Sequence, residues 1–502
     1  MAKITFVYPD YESLGIEHLM AICLQQGHEI DLVYYQTFDP YFGRNVRKVP
    51  FSDIAEQVVQ TKPDIAAFSC VTDNYTFQLN IADRVKTSKP ELPTIFGGVH
   101  TSALPEKVLA NKSVDAVAIG EAEISFPEFL NACETDKVFS LPNSPVKGIV
   151  FKKYADLIGD FQMGELADIN KIPFLYKPLF YSRANRIFNG YKTITSRGCP
   201  YKCAYCFNSF YYTEQSSHFI RQRSPDNVIS ELSRAKTDLN AKYMLFQDDC
   251  FTTNADWLED FCIKYREEIN LPFACITNPH FMNRKKSELL RDAGCNYVHI
   301  GIQSLDEDIC RDVLKRKSSN KKNEQVILDL KACGIIVQVD HMLGIPGDTV
   351  DNQEKSLAFY NKTRPNLISV YWLTYYPKTS IIDYADTQGI LDQADIEKIE
   401  QGERLFSENY MSGGDYKNPE KFYCFAFIMR ILPFLPKSFV DFLVRSKLYK
   451  AFRINSYFLS IALPRIIQIL FDKNDLRGKE HIVRFINKSL RSPKKWIRQL
   501  IK

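Results

Sequence analysis

From the start of the chain to about residue 135, short apolar runs alternate with segments whose apolar residues recur every three or four positions. The runs at 4–8, 30–35, 65–70, 94–98 and 115–120 predict strands, and the segments at 14–26, 54–60, 77–86, 105–110 and 124–132 predict helices. Five strand–helix units predict an α/β domain of flavodoxin-like, doubly wound type, whose ligands sit beyond the carboxyl ends of the parallel strands. The stretch 136–191 holds Pro142, Pro145, Pro173 and Pro178 without a sustained period, and is expected to be a connector. The alternation resumes over 192–389, with strands expected at 193–196, 243–247, 273–276, 297–302, 337–343 and 367–371. Six repeats suit a partial (β/α)6 barrel. Residues 390–502 are expected to form a helical, basic C-terminal region, dominated beyond Tyr423 by Phe, Leu and Ile interleaved with Lys and Arg.

A length of 502 residues exceeds what one ordinary core organises, in line with this division. The N-terminal residues enter a strand pattern directly, without the apolar core and cleavage site of a secretory signal, so a cytoplasmic location is expected. Thirteen cysteines are then expected to be reduced, ten of them as buried single thiols. The net charge of +4 conceals an asymmetry: residues 421–502 carry 18 Lys+Arg against 4 Asp+Glu, while the rest of the chain is net acidic.

The other three cysteines lie together in Ser196-Arg197-Gly198-Cys199-Pro200-Tyr201-Lys202-Cys203-Ala204-Tyr205-Cys206, at the spacing Cys-x3-Cys-x2-Cys just after an expected strand. Three thiolates in a short loop can face one side of an iron–sulfur cube and leave the fourth iron open to a chelating ligand. A zinc site is the competing reading, but zinc usually takes a fourth Cys or His at close spacing, and none lies nearby. The motif resembles the cluster loop of the radical S-adenosylmethionine (SAM) superfamily, which follows the first barrel strand. That resemblance implies a [4Fe-4S] cluster on Cys199, Cys203 and Cys206, SAM as its partner, and a 5′-deoxyadenosyl radical that takes hydrogen from substrate. It also implies a SAM site at the strand ends: Tyr205 at the adenine through its backbone, Asp248 and Asp249 at the amino group, Gln303 and Ser304 at the ribose or carboxylate, and Gly344-Ile345-Pro346 on the adenine side. Taken singly, an acidic pair is by default a strand-end cap and Gly-Ile-Pro-Gly a turn; their order at successive strand ends makes the match specific.

The loop after the first strand, Asp10-Tyr11-Glu12-Ser13-Leu14-Gly15, has the Asp-x-His-x-x-Gly spacing of cobalamin-binding domains with Glu12 where the histidine stands. Ser69 and the pair Gly97-Gly98 match that family's later elements, the serine along the nucleotide tail and the glycines where the tail passes. The resemblance implies bound cobalamin. The departure at Glu12 implies that no histidine ligates cobalt, its own dimethylbenzimidazole being displaced. A scaffold that has kept the fold and lost the cofactor is the alternative, and His100 is expected to be a hydrogen-bonded loop residue more readily than one facing the corrin.

No apolar run in 421–502 reaches the length needed to span a bilayer. Its composition, clearest at 481–502, suits an interfacial helix on an anionic membrane surface better than a nucleic-acid site, and no nucleic-acid partner is expected. A helical cap facing the acidic remainder of the chain is the alternative. The expected activity is cobalamin-dependent C-methylation of a hydrophobic substrate such as a lipid, isoprenoid or tetrapyrrole, with electrons from a flavodoxin or ferredoxin. The runner-up resembles the anaerobic magnesium-protoporphyrin ester cyclases, which show no net methyl transfer. A membrane-recruited binding protein with a degenerate SAM site is a third reading.

Overall fold

The structure is a computed structural model that describes residues 1–9, 11–35, 50–135, 138–154, 156–183, 189–214, 220–403 and 420–451. Asp10 and the segment 481–502, both singled out by sequence, lie outside the described residues.

Strands β1 (Lys3–Pro9), β2 (Glu29–Tyr35), β3 (Ile65–Ser69), β4 (Thr94–Gly97) and β5 (Ala116–Ala118) form a parallel sheet in the order β2-β1-β3-β4-β5. Four of its five strands are apolar on both faces because helices cover both, which makes them legible as continuous runs. One layer closes around Val7, Phe68, Phe96 and Val85, the other around Ile4, Met20, Phe129 and Leu130. The turn after β4 is built on Gly98, at φ +93°, where an added Cβ would stand 2.6 Å from the Cys70 carbonyl oxygen.

The expected connector instead completes this sheet. After a small ribbon of β6 (Glu134–Thr135) and β7 (Val138–Phe139), strand β8 (Ile149–Lys153) pairs antiparallel with β5, and β9 (Asp156–Ile158) pairs antiparallel with β8. The first domain therefore has seven strands and reaches well past residue 135. Helix Pro178–Arg183 also returns to it, seating Phe180 against Tyr8 and Tyr34.

The second sheet is six-stranded and wholly parallel: β10 (Gly190–Thr193), β13 (Tyr243–Phe246), β14 (Phe273–Thr277), β15 (Cys295–Gln303), β16 (Ile336–Leu343) and β17 (Leu367–Trp372) follow one another in chain order. This is the open barrel the sequence predicts, with β10 three residues earlier than expected. Residues 196–197 belong instead to β11 (Ser196–Arg197), which pairs antiparallel with β12 (Arg221–Gln222). Alternate residues divide the two faces: Met244 and Phe246 join the main core with the outer helices, while Tyr243 and Leu245 pack with Ala274, Tyr297, Ile336 and Leu367 in a separate cluster. Helix Glu420–Ile431 covers the last strand, with Phe422 and Tyr423 against Trp372. Helix Lys437–Arg445 follows it. Among the described residues no helix is long and apolar enough to cross a membrane.

Buried charge joins the two sheets. The Lys177 ammonium is fully enclosed, 2.7 Å from Glu12 and 2.6 Å from Glu17, donates to the Lys192 carbonyl and lies 4.9 Å from the centre of the Tyr191 ring. Lys192 on β10 approaches the other Glu12 oxygen at 3.4 Å. Burial raises the Glu12 carboxyl, but Lys177 and Lys192 outweigh it and hold the group below its ordinary value. Burial dominates at Glu17, which is pushed up to about 8. A second bridge runs from Arg197 on β11 to Glu121 at 2.8 Å and Glu123 at 2.5 Å, with Arg221 also on Glu121.

Removing one member of such a buried set strands the others without water. Lys177→Met is expected to destabilise the protein by about 3–5 kcal/mol. Gly98→Ala is expected to cost about 2 kcal/mol or more, through left-handed backbone and the clash with Cys70. Thermal unfolding followed by circular dichroism checks both, and a midpoint equal to the parent's contradicts either assignment.

Candidate functional site

The cluster loop begins where β10 ends, and its first residues are tied to the end of the neighbouring strand β13. Asp248, buried there, accepts from the Thr195 backbone N–H at 3.0 Å and 3.1 Å, from the Thr195 hydroxyl at 2.7 Å and from the Ser196 hydroxyl at 2.5 Å. Its carboxylate is thus committed to holding the loop, which corrects the expectation that it meets the amino group of SAM. Its neighbour Asp249 is exposed and remains available. Although part of the residue is exposed, packing around its carboxyl raises Asp249 to about 6, with Asp248 adding to the rise and a hydrogen bond from Asn208 opposing it.

Further along the loop the Ala204 amide donates to the Leu314 carbonyl at 2.8 Å, and its carbonyl accepts from the Ile381 amide at 3.0 Å. The Cys206 amide donates back to the Cys203 carbonyl at 2.9 Å, closing the turn that carries Tyr205. All thirteen cysteines are free thiols. The ten scattered ones are buried, as expected, whereas Cys199 and Cys206 are partly accessible and Cys203 is buried between them in the chain. Burial pushes the Cys199 thiol up to about 12 and the Cys206 thiol up to about 11. As bare thiols they stay protonated at neutral pH, so iron must supply the positive charge that makes them thiolates. Among the described residues no three Cys, His, Asp or Glu side chains converge as ligands of one ion do. A cube assigns each of its three cysteines a different iron, which three thiols in one loop suit.

Sequence reading missed Arg316. A π-helical turn, Ile309–Val313, leads to it, and its guanidinium is buried with Nη1 donating to the Cys203 sulfur at 3.6 Å and Nη2 donating to the Gly301 carbonyl. Gly301 is the signal for it: an added Cβ would stand 2.9 Å from Gln303 Nε2 and 3.4 Å from Arg316 Nη2. Gln303 stands at φ +71° where β15 slips register against β16, which leaves it half-buried beside that glycine. A cavity of about 350 Å³ opens there, lined by Asn278, His280, Gly301, Arg316, Lys317 and Lys322 among others.

Ser304 does not share this opening. It is buried, its hydroxyl accepting from the Asp306 amide at 3.1 Å and its carbonyl accepting from the Cys310 thiol, so it shapes the turn after β15. Gly344, at φ +73°, and the buried Ile345 and Pro346 lie beyond β16. Ile345 shares an apolar cluster with Ala204, Leu314 and Ile381, directly supporting the cysteine loop, with Tyr205 at its margin.

In the first domain, Ser69 ends β3 beside Gly97 on β4, and Gly15 opens the helix Leu14–Gln25 with empty space where a Cβ would project. Gly15 thus leaves open space near the carboxyl end of β1. Gly98 is needed for the approach to Cys70, whereas a Cβ on Gly97 would meet Ala118 only at ordinary contact distance, so the fold itself accounts for Gly98 and not for Gly97. Glu12 is no free ligand, because both its oxygens face lysines. His100 is buried, its Nδ1 3.2 Å from the Thr72 hydroxyl and its ring 4.2 Å from that of Tyr75, and burial lowers it to about 4. It is hydrogen-bonded, as expected, but sits inside the short helix Val99–Ala103 and not on a loop.

Between the two domains lies a cavity of about 950 Å³, lined from the first domain by Ser102, Leu104, Ile119 and Met163 and from the barrel by Phe210 and Lys378, among others. Phe210 belongs to the helix Phe207–Glu214, which starts immediately after Cys206. The cavity therefore reaches the helix that follows the cluster loop.

Comparison with known proteins agrees with this division. Residues 193–360 match the radical SAM superfamily and residues 4–130 match the B12 binding domain. An uncharacterized methyltransferase of Pyrococcus horikoshii is 23% identical over 406 residues, covering 78% of this chain and 84% of that protein. The anaerobic magnesium-protoporphyrin IX monomethyl ester cyclase of Rubrivivax gelatinosus is 20% identical over 400 residues, covering 75% of this chain and 68% of the cyclase. Among solved structures, the cobalamin-dependent S-adenosylmethionine radical enzyme OxsB, with aqua-cobalamin and S-adenosylmethionine bound, superposes with a TM-score of 0.65 at 13% identity, over 100% of this chain and 84% of its own. The cysteine loop at the barrel mouth, the B12-type sheet joined to it by buried charge, and both family matches make this chain a radical SAM enzyme of the branch that carries a B12 binding domain.

Proposed function

We propose that the chain uses a [4Fe-4S] cluster, SAM and cobalamin to methylate carbon in an amphiphilic substrate. The observation that carries this reading is the loop of three free cysteines, pinned at a barrel mouth beside an available carboxylate and a buried guanidinium, and followed by a helix that lines a cavity shared with the B12-type domain.

Cys199, Cys203 and Cys206 would hold the cluster, which when bound supplies the electron that cleaves the S–C5′ bond of SAM and so starts radical chemistry on substrate. Asp249 offers its charge to the SAM ammonium, and Arg316 offers donors to the carboxylate, so the two ends of the amino acid meet opposite charges. Asp248 works indirectly by fixing Thr195 and Ser196, which sets where the first cysteine begins. Gly15 and Ser69 would border cobalamin, which supplies the transferable methyl group. Glu12, tied to Lys177 and Lys192, offers it no nitrogen and no free oxygen. The inter-domain cavity mixes Leu104, Met163 and Phe210 with charges of both signs, Lys107 paired with Glu400 and Lys147 with Glu165, which suits a substrate with an apolar body and polar groups. Reduced flavodoxin or ferredoxin is the fitting electron source, from the cytoplasm. The likeness to the anaerobic magnesium-protoporphyrin IX monomethyl ester cyclase of Rubrivivax gelatinosus supports a second reading, an oxidative or cyclising reaction at the same site.

Anaerobic reconstitution with cluster, reductant, SAM and cobalamin separates the two. Methyl transfer yields both S-adenosylhomocysteine and 5′-deoxyadenosine, the oxidative reaction 5′-deoxyadenosine alone, and Cys203→Ala is expected to reduce both products to background. Asp248→Asn leaves one acceptor oxygen for three donor groups, at about 1–3 kcal/mol per stranded donor. Its iron and sulfide content after reconstitution is expected to fall well below the parent's, whereas parental loading would show that the clamp does not shape the loop. The EPR spectrum of cobalamin-loaded protein is expected to lack nitrogen splitting from a protein imidazole, and its presence would refute the reading of Glu12.

A further inference from the structure

Helix Lys437–Arg445 has a covered face and a bare one. Val440 and Leu443 are buried, and the Asn361 side chain donates to the Lys437 carbonyl at 3.1 Å and to Asp441 at 2.8 Å. Arg364 donates to the carbonyls of Pro433 and Leu435 just before the helix, and Lys447 and Tyr449 just after it both reach Glu354. The helix is thus fixed at both ends and along its inner side. On the outer side Phe439 and Phe442, one turn apart, are 42% and 54% exposed, and Leu448 beyond the helix is 48% exposed. Lys437, Arg445 and Lys450 are exposed around them.

Three large apolar side chains held in water by a rigid scaffold, and ringed by cations, form an unusual surface for a soluble domain. We infer that this face is a membrane-docking surface whose partner is an anionic lipid bilayer. Phenyl rings at one helical turn can enter the acyl boundary while the basic side chains remain among the headgroups. The charge of the whole chain argues for the same occupant. The residues beyond Ala451 carry 12 Lys+Arg against 3 Asp+Glu, whereas residues 1–420 carry 46 against 56. An anionic surface therefore attracts this end and repels the rest, which orients the molecule as well as holding it. A nucleic acid would satisfy the cations and leave Phe439, Phe442 and Leu448 in water.

The test uses full-length, cluster-reconstituted protein floated with vesicles of phosphatidylglycerol and phosphatidylcholine, and with phosphatidylcholine alone. Binding is expected to the anionic vesicles, to weaken on raising salt from about 0.1 M to about 1 M, over which screening shortens from about 10 Å to about 3 Å. The pair F439A/F442A, at exposed positions that leave the folded core intact, is expected to weaken binding about tenfold or more, and Leu448→Ser to weaken it in the same direction. Absence of flotation with anionic vesicles overturns the inference. So does undiminished binding by both F439A/F442A and Leu448→Ser, or release of the protein from vesicles by single-stranded RNA at equal charge concentration. None of these readouts depends on radical chemistry, so they separate docking from the proposed reaction.

Discussion

A few buried charges decide how this molecule is put together. Lys177 has no access to water, so its ammonium is tolerable only while Glu12, Glu17 and the Lys192 carbonyl surround it. Those groups come from the loop and helix that follow β1 and from the first barrel strand, so the set ties the two domains together. Arg197 repeats the arrangement with Glu121 and Glu123, two residues before Cys199. The contact that joins the domains is therefore also the contact that aims the cysteine loop, and Asp248 completes the restraint from the barrel side.

Much of the architecture was legible because parallel strands buried on both faces are written as unbroken apolar runs. β1, β3, β13 and β16 fall within a residue or so of their expected limits for that reason. Short edge strands lack that signature. β8 and β9 alternate with charged residues, Lys152, Lys153 and Asp156, and read as irregular chain until β5 is seen to need a partner. β10 was misplaced because Thr193-Ile194-Thr195-Ser196 has strand-like residues, whereas the pairing with β13 starts at Gly190.

The site divides in the same way. Cys199, Cys203 and Cys206 are local in sequence and were readable by spacing. Asp248 and Asp249 look equivalent as letters, yet just beyond β13 one is buried and holds the loop while the other is exposed. Glu12 and Lys177 are 165 residues apart, and nothing in either neighbourhood announces the other. Arg316 sits in a run of basic residues that reads as solvated surface, and only the bare Cα of Gly301 marks where its guanidinium enters.

The antiparallel pair β8–β9 bears on how such a chain can be assembled from modules. The B12-type match ends at residue 130, but the sheet it describes is closed only at residue 158, and Phe180 still packs on its surface. A gene fusion or excision made at the end of the match would expose the backbone of β5 as a raw sheet edge, open to pairing with another copy. The natural joint for exchanging either half lies after helix Pro178–Arg183, and any exchange there must preserve the contacts that cross it, from Lys177 to the Lys192 carbonyl and from Arg197 to Glu121 and Glu123.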